Sequence, residues 1–206
     1  MTSRLPEPYA RPLPPLAPRV RAPVSGRLGA LWLRLSGWRM IDAFPDVAKA
    51  VVIAAPHSSN MDGLHGLAVK QVLGLDVHFL AKRQLFWWPL GPILRHVGII
   101  PIDRGSGGTA LVDSAVARFA QNEKFWLGVA PEGTRKFVPR WKTGFWRIAK
   151  AAGVPIIPAY FHYPEKRIGL GPMLWPGDDM EADIASLRAF YEPWRGAGGK
   201  SAVRQD

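Results

Sequence analysis

The chain has 206 residues, 48% of them hydrophobic, which is enough for one domain with a sizeable core. Its 27 basic residues against 16 acidic ones leave a net charge of +11, which favours polyanionic partners such as lipid headgroups, phosphorylated small molecules or nucleic acid. The lack of cysteine excludes disulfides and thiolate chemistry, the five histidines have no paired spacing to hold a metal, and no run of about 18 apolar residues exists to form a transmembrane helix.

Residues 1–24 mix prolines, from Pro6 to Pro23, with arginines and hold no apolar core of a signal peptide. Proline lacks a backbone donor and fixes φ, so a flexible basic tail is expected here. Over residues 25–42, Leu28, Leu31, Trp32 and Leu35 recur at helical spacing while Arg27, Arg34 and Arg39 lie largely off that stripe. Such a helix suits a membrane interface, and equally suits packing on its own domain.

From Ala50 onward, short apolar runs alternate with helical patterns. The strands predicted are 50–55, 77–80, 99–102, 126–130 and 156–161. The helices predicted are 61–73, 84–96, 109–121, 145–152 and 181–191. This alternation predicts a single α/β domain over 45–192, its central sheet mostly parallel or mixed and flanked by helices. Pro155 and Pro158 point to an edge position for the last strand. Residues 193–206, rich in glycine and basic, are expected to be a flexible tail. The apolar stretch Leu85-Phe86-Trp87-Trp88-Pro89-Leu90 is core if buried, and a bilayer or acyl-chain contact if exposed.

Chemistry concentrates at the ends of these strands. His57 follows the first strand and Pro56, and Asp62 lies five positions later. In an unbroken helix such positions point about 140° apart. With His57 on the loop and Asp62 in the first turn of a helix capped by Ser58, Ser59 or Asn60, the imidazole can fold back onto the carboxylate. Asp62 would then orient the ring and leave its other nitrogen as a general base. No serine in a Gly-x-Ser-x-Gly turn accompanies it, so the base would activate a substrate hydroxyl directly. Lys82 follows the second strand, Asp103 and Arg104 the third, and Glu132-Gly133-Thr134-Arg135 the fourth. Ligands of open α/β sheets bind beyond those ends, where Arg104 and Arg135 suit phosphate oxygens. Each of these charges alone fits a surface salt bridge as well.

In these blocks the chain resembles the glycerolipid acyltransferases, whose best-known bacterial members are the lysophosphatidic acid (1-acylglycerol-3-phosphate) acyltransferases. Four ordered segments carry the likeness over roughly residues 45–165: His57 to Asp62 in an HxxxxD arrangement, Gly98 to Arg104, Ala130 to Arg135, and Val154-Pro155-Ile156-Ile157-Pro158. The resemblance implies catalysis by His57, oriented by Asp62, with the acceptor hydroxyl attacking the thioester of acyl-CoA or acyl carrier protein. It places Arg104, Glu132, Gly133 and Arg135 at the acceptor-phosphate site and the fourth segment at the acyl chain; Lys82, from its strand-end position, and Thr134, within the same turn, join them as substrate-site candidates. No cofactor beyond the acyl donor is implied. The partners implied are a lysophospholipid and an anionic membrane surface, not nucleic acid, at the inner face of the cell membrane. The first block reads Ser-Ser-Asn where relatives often have Gln-Ser, which leaves the acceptor open among lysolipids. An ester or thioester hydrolase and a non-catalytic lipid-binding module remain alternatives.

Overall fold

The computed structural model describes residues 13–21, 23–102, 108–135 and 137–203. In chain order the elements are α1 (Pro23–Ser36), β1 (Arg39–Met40), β2 (Lys49–Ala55), α2 (Asn60–Leu73), β3 (Val77–Lys82), α3 (Leu90–His96), β4 (Ile99–Ile102), α4 (Gly108–Gln121), β5 (Phe125–Val129), α5 (Gly144–Ala152), β6 (Ile156–His162), β7 (Arg167–Leu170) and α6 (Met180–Tyr191). The strands form one seven-stranded sheet in the order β1-β7-β6-β2-β5-β3-β4. Every pairing is parallel except β6 with β7.

The apolar runs of β2, β5 and β6 follow from burial on both faces. Val51, Ile53 and Ala55 of β2 point into a core with Phe119 of α4, Phe145 and Ile148 of α5, and Leu187 and Tyr191 of α6. Ala50 and Val52 point the other way, towards Trp126 and Ile157. On that second side α1 lies against α2, and glycine makes the approach possible. A Cβ at Gly26 would come within 2.9 Å of the Gln71 carbonyl oxygen, and one at Gly29 within 2.9 Å of that of Ala68.

The helix expected over 25–42 ends at Ser36, and Arg39–Met40 is strand β1 at the sheet edge; other sequence expectations change as well. β6 lies inside the sheet, between β2 and β7, and not at an edge. Pro158 is tolerated because it falls between the Ile156–Leu174 bridge and the Ala159–Leu170 pair, where it supplies a carbonyl to the Gly171 amide (2.7 Å). The helix expected over 84–96 splits into a 3₁₀ turn, Arg83–Leu85, and α3, because Pro89 interrupts it with no N–H to give. Trp87 and Trp88 between them are exposed, so that stretch forms a surface patch.

Both expected tails are in part folded. Residues 1–12 and 22 lie outside the described residues, yet Leu13 and Ala17 are buried. The Val20 amide donates to the Gly74 carbonyl (2.8 Å) and the Asp76 amide to the Pro18 carbonyl (2.9 Å). The prolines here shape a strap with a turn at Pro15 and Leu16, closed by the Ala17 amide on the Pro14 carbonyl (3.2 Å). Residues 193–203 also pack: Trp194 stacks on Tyr160 with ring centroids 3.7 Å apart, and Ala202 is buried. In α1, Leu33 turns inward while Val24, Leu28, Leu31 and Leu35 face outward, 52–72% exposed. Among the described residues, no helix is long and apolar enough to cross a membrane.

Candidate active site

The loop from β2 to α2 is built around one carboxylate. Ser59 is the N-cap of α2, and its hydroxyl accepts from the Met61 amide while Asp62 reaches back to the Ser59 amide, a reciprocal capping box. Asp62 is 1% exposed. Its Oδ2 accepts from the Ser58 amide (2.6 Å), the Ser59 amide (2.8 Å) and the Ser58 hydroxyl (3.3 Å), and its Oδ1 from the Tyr163 hydroxyl (2.5 Å). Burial on its own would raise the pKa of Asp62. Hydrogen bonds from His57, Tyr163 and the two serine amides outweigh it and hold the acid ionised, below the usual carboxylate range.

The fold-back expected of His57 is present. Its Nδ1 lies 3.4 Å from Asp62 Oδ2, a contact that tightens as the ring takes up charge. With Nδ1 committed to the carboxylate, Nε2 is the nitrogen left for a reacting hydroxyl. The ring is 30% exposed and lines a cavity of about 1060 Å³ beyond the carboxyl ends of β2, β3, β4 and β5.

Glu132 differs from expectation. Its side chain does not line this cavity; it is buried, and Oε2 accepts the His57 backbone amide (2.9 Å). Burial pushes its pKa up to about 7, against the lowering effect of that hydrogen bond and of His57. A carboxyl so placed braces the His57 loop from behind and does not face the cavity. Gly133, Thr134, Arg135 and Lys82 do line the cavity. Arg135 donates through Nη1 to Asn60 Oδ1, which ties the β5 loop to the start of α2. Gly133 has φ 62°, and a Cβ there would sit 3.0 Å from Lys142 Cε, so glycine leaves room for the lysine to cross it. Arg104 and Asp103 lie outside the described residues. Val154, Ile156 and Ile157 of the fourth block are buried core and do not line the cavity.

Sequence reasoning did not single out Lys142 or Arg147, which also line the cavity. Their placement after a strand-end loop and at the start of α5 was the available signal. Among the described lining residues the charges are Lys82, Arg135, Lys142 and Arg147, with no carboxylate beside them. Leu80, Leu111, Val112, Trp141, Phe145 and Ile148 supply apolar wall. The C-terminal strap was missed as well. The Ala197 amide donates to the Ser58 hydroxyl (2.8 Å), and Lys200 Nζ to the Ser58 carbonyl (3.2 Å). No group of three His, Cys, Asp or Glu that could hold a metal occurs among the described residues.

Comparison with known proteins bears on this arrangement. The Acyltransferase family model matches residues 39–162, more than half of the chain, and the match contains His57, Asp62, Lys82 and the Glu132–Arg135 turn. No curated protein matches. Among solved structures, the crystal structure of the 1-acyl-sn-glycerophosphate (LPA) acyltransferase PlsC from Thermotoga maritima superposes with a TM-score of 0.57. That match has 15% sequence identity and covers 82% of this chain and 78% of the other, a likeness of fold. Strand-end blocks, the α/β sheet and the family match agree: the chain belongs to the acyltransferase family.

Proposed function

We propose that the protein moves a fatty acyl group from a thioester, acyl-CoA or acyl carrier protein, to the free hydroxyl of a lysophospholipid, with lysophosphatidic acid as the first candidate. The observation that carries this reading is the His57–Asp62 pair opening into a cavity whose described charged lining is wholly cationic. His57 Nε2 takes the proton of the acceptor hydroxyl as its oxygen attacks the thioester carbonyl carbon. The tetrahedral intermediate then collapses, the carbon–sulfur bond breaks, and the thiolate recovers the proton from the imidazolium. Asp62, kept ionised, stabilises the imidazolium in between. Arg135, Lys82, Lys142 and Arg147 supply positive charge for the phosphate of the acceptor or donor, and the apolar wall suits an acyl chain.

Lipid substrates also imply a membrane surface, and α1 offers a docking face. Val24, Leu28, Leu31 and Leu35 lie on one exposed stripe beside the exposed Arg27. The two helices run antiparallel: Gly26 faces Gln71, Gly29 faces Ala68, and Trp32 donates to His65. The Leu35 end of the stripe therefore lies towards the start of α2, where Met61 and Leu64 are exposed next to the His57 loop. This supports a peripheral placement on an anionic membrane with the catalytic loop near the lipid.

The test is transfer of a radiolabelled acyl group from acyl-CoA, and in parallel from acyl carrier protein, to a panel of lysophospholipids. A labelled diacyl product with one acceptor is expected. Labelled free fatty acid as the sole product would replace the reading with a hydrolase, and binding of lipid without turnover would replace it with a carrier module.

A further inference from the structure

Tyr163 lies one residue beyond the family match and 101 residues along the chain from Asp62, yet its hydroxyl donates to Asp62 Oδ1 at 2.5 Å. The Ser58 and Ser59 donors all serve the other oxygen, Oδ2, which also faces His57. The two carboxylate oxygens are thus held from opposite walls, one by the loop that carries His57 and one by the turn that joins β6 to β7.

The tyrosine is itself firmly placed. Its ring meets the edge of Trp38 at a centroid distance of 4.8 Å, its amide donates to the Arg195 carbonyl (2.9 Å), and its carbonyl accepts from the Lys166 amide (3.2 Å). Burial, followed by the hydrogen bond and charge of Asp62, raises the pKa of the phenol, so it remains a donor at any physiological pH.

We infer that Tyr163 is a positioning residue for the reaction: it fixes the plane of Asp62 and takes up part of its charge, and so sets the pH above which His57 serves as a base. This assignment rests on the acyl-transfer reading for its kinetic consequence, and on geometry alone for its effect on the His57 ring. A carboxylate with a strong donor on its far oxygen spends less of its charge on the imidazolium. Without that donor, the serine amides still hold Oδ2 towards His57, and the imidazolium is stabilised more. The other charged or titratable groups around this pair are Glu132 behind the His57 amide, His65 one turn along α2, Lys200 on the Ser58 carbonyl, and Arg135 on Asn60. None of them reaches Oδ1 among the described hydrogen bonds.

Tyr163→Phe deletes the hydroxyl and keeps the ring against Trp38. Expected is an acid limb of the kcat–pH profile displaced upward by about one unit, so that transfer falls about 10-fold below the limb and recovers on the alkaline plateau, with both KM values unchanged. NMR of the free protein should show the His57 ring, assigned by its loss in His57→Ala, protonating at correspondingly higher pH. A uniform fall in kcat at all pH values, or a fall that follows a loss of folded protein, would make Tyr163 structural and overturn the assignment. An unshifted His57 titration would overturn it as well. No transfer by the wild type would instead sink the functional reading, while the NMR comparison still decides the role of Tyr163.

Discussion

The two sides of the cavity are built on opposite plans. On the His57 side the key carboxylate is buried and accepts hydrogen bonds from Ser58, Ser59 and Tyr163, and the loop is braced by Glu132 beneath it and by the strap residues Ala197 and Lys200. On the other side, Lys82, Lys142 and Arg147 are exposed cations on long side chains, and the exposed Arg135 is tied to Asn60 at the start of α2. A proton transfer needs atoms placed within tenths of an ångström, so that wall is preorganised. Holding a phosphate needs charge and reach more than a single geometry, so the facing wall can adapt.

The contrast predicts two kinds of failure. Asp62→Asn is close to isosteric, with its oxygen able to serve the serine amides and its NH₂ group turned to Tyr163. The charge is lost and the Tyr163 hydrogen bond reverses direction, and kcat should drop about 10³-fold with KM little changed, measured by steady-state transfer on protein shown to be folded. Arg135→Ala and Lys142→Ala should do the reverse. Each is expected to raise KM for a phosphorylated acceptor about 10-fold with kcat nearly kept, and to leave an uncharged lysolipid acceptor unaffected. A kcat effect from the cation wall would break the division.

Gly196→Ala probes the brace itself. A Cβ there would lie 2.4 Å from Ser58 Oγ and 2.6 Å from Ser58 Cβ, so the strap or the loop must move. We expect kcat several-fold lower and stability reduced by about 1–2 kcal/mol, read by chemical denaturation. The smallest effect concerns Glu132. Its pKa is raised from 4.5 to about 7 in the folded protein, so its contribution to stability is full below about pH 4.5 and is lost as the pH rises to about 7. Glu132→Gln removes that slope: unfolding measured at pH 5 and pH 8 should differ less in the variant than in the wild type, by about 1–2 kcal/mol.

Local chemistry was legible in the chain; long-range support was not. His57 and Asp62 could be paired in advance because a strand, a proline-led loop and a serine N-cap are all local signals. The strand-end rule likewise placed Lys82, Gly133, Thr134 and Arg135 at one cavity. It failed for Glu132, because sequence position does not say whether a side chain turns to the cavity or back under the loop. Tyr163 and Gly196 carry no signature at all, since each acts on a residue more than a hundred positions away. The two-residue β1 and the four-residue β7 were too short to give a period, and without β7 the proline-bearing β6 looked like an edge.

The most direct test of the account is the rate of acyl transfer by His57→Ala, alongside the wild type, to whichever lysophospholipid the wild type uses. The substitution removes a partly exposed loop ring and should leave the unfolding transition in place. The account predicts a folded protein that binds the acceptor and transfers no measurable acyl group. Transfer at the wild-type rate would contradict it, and the base would have to be sought elsewhere on the cavity wall.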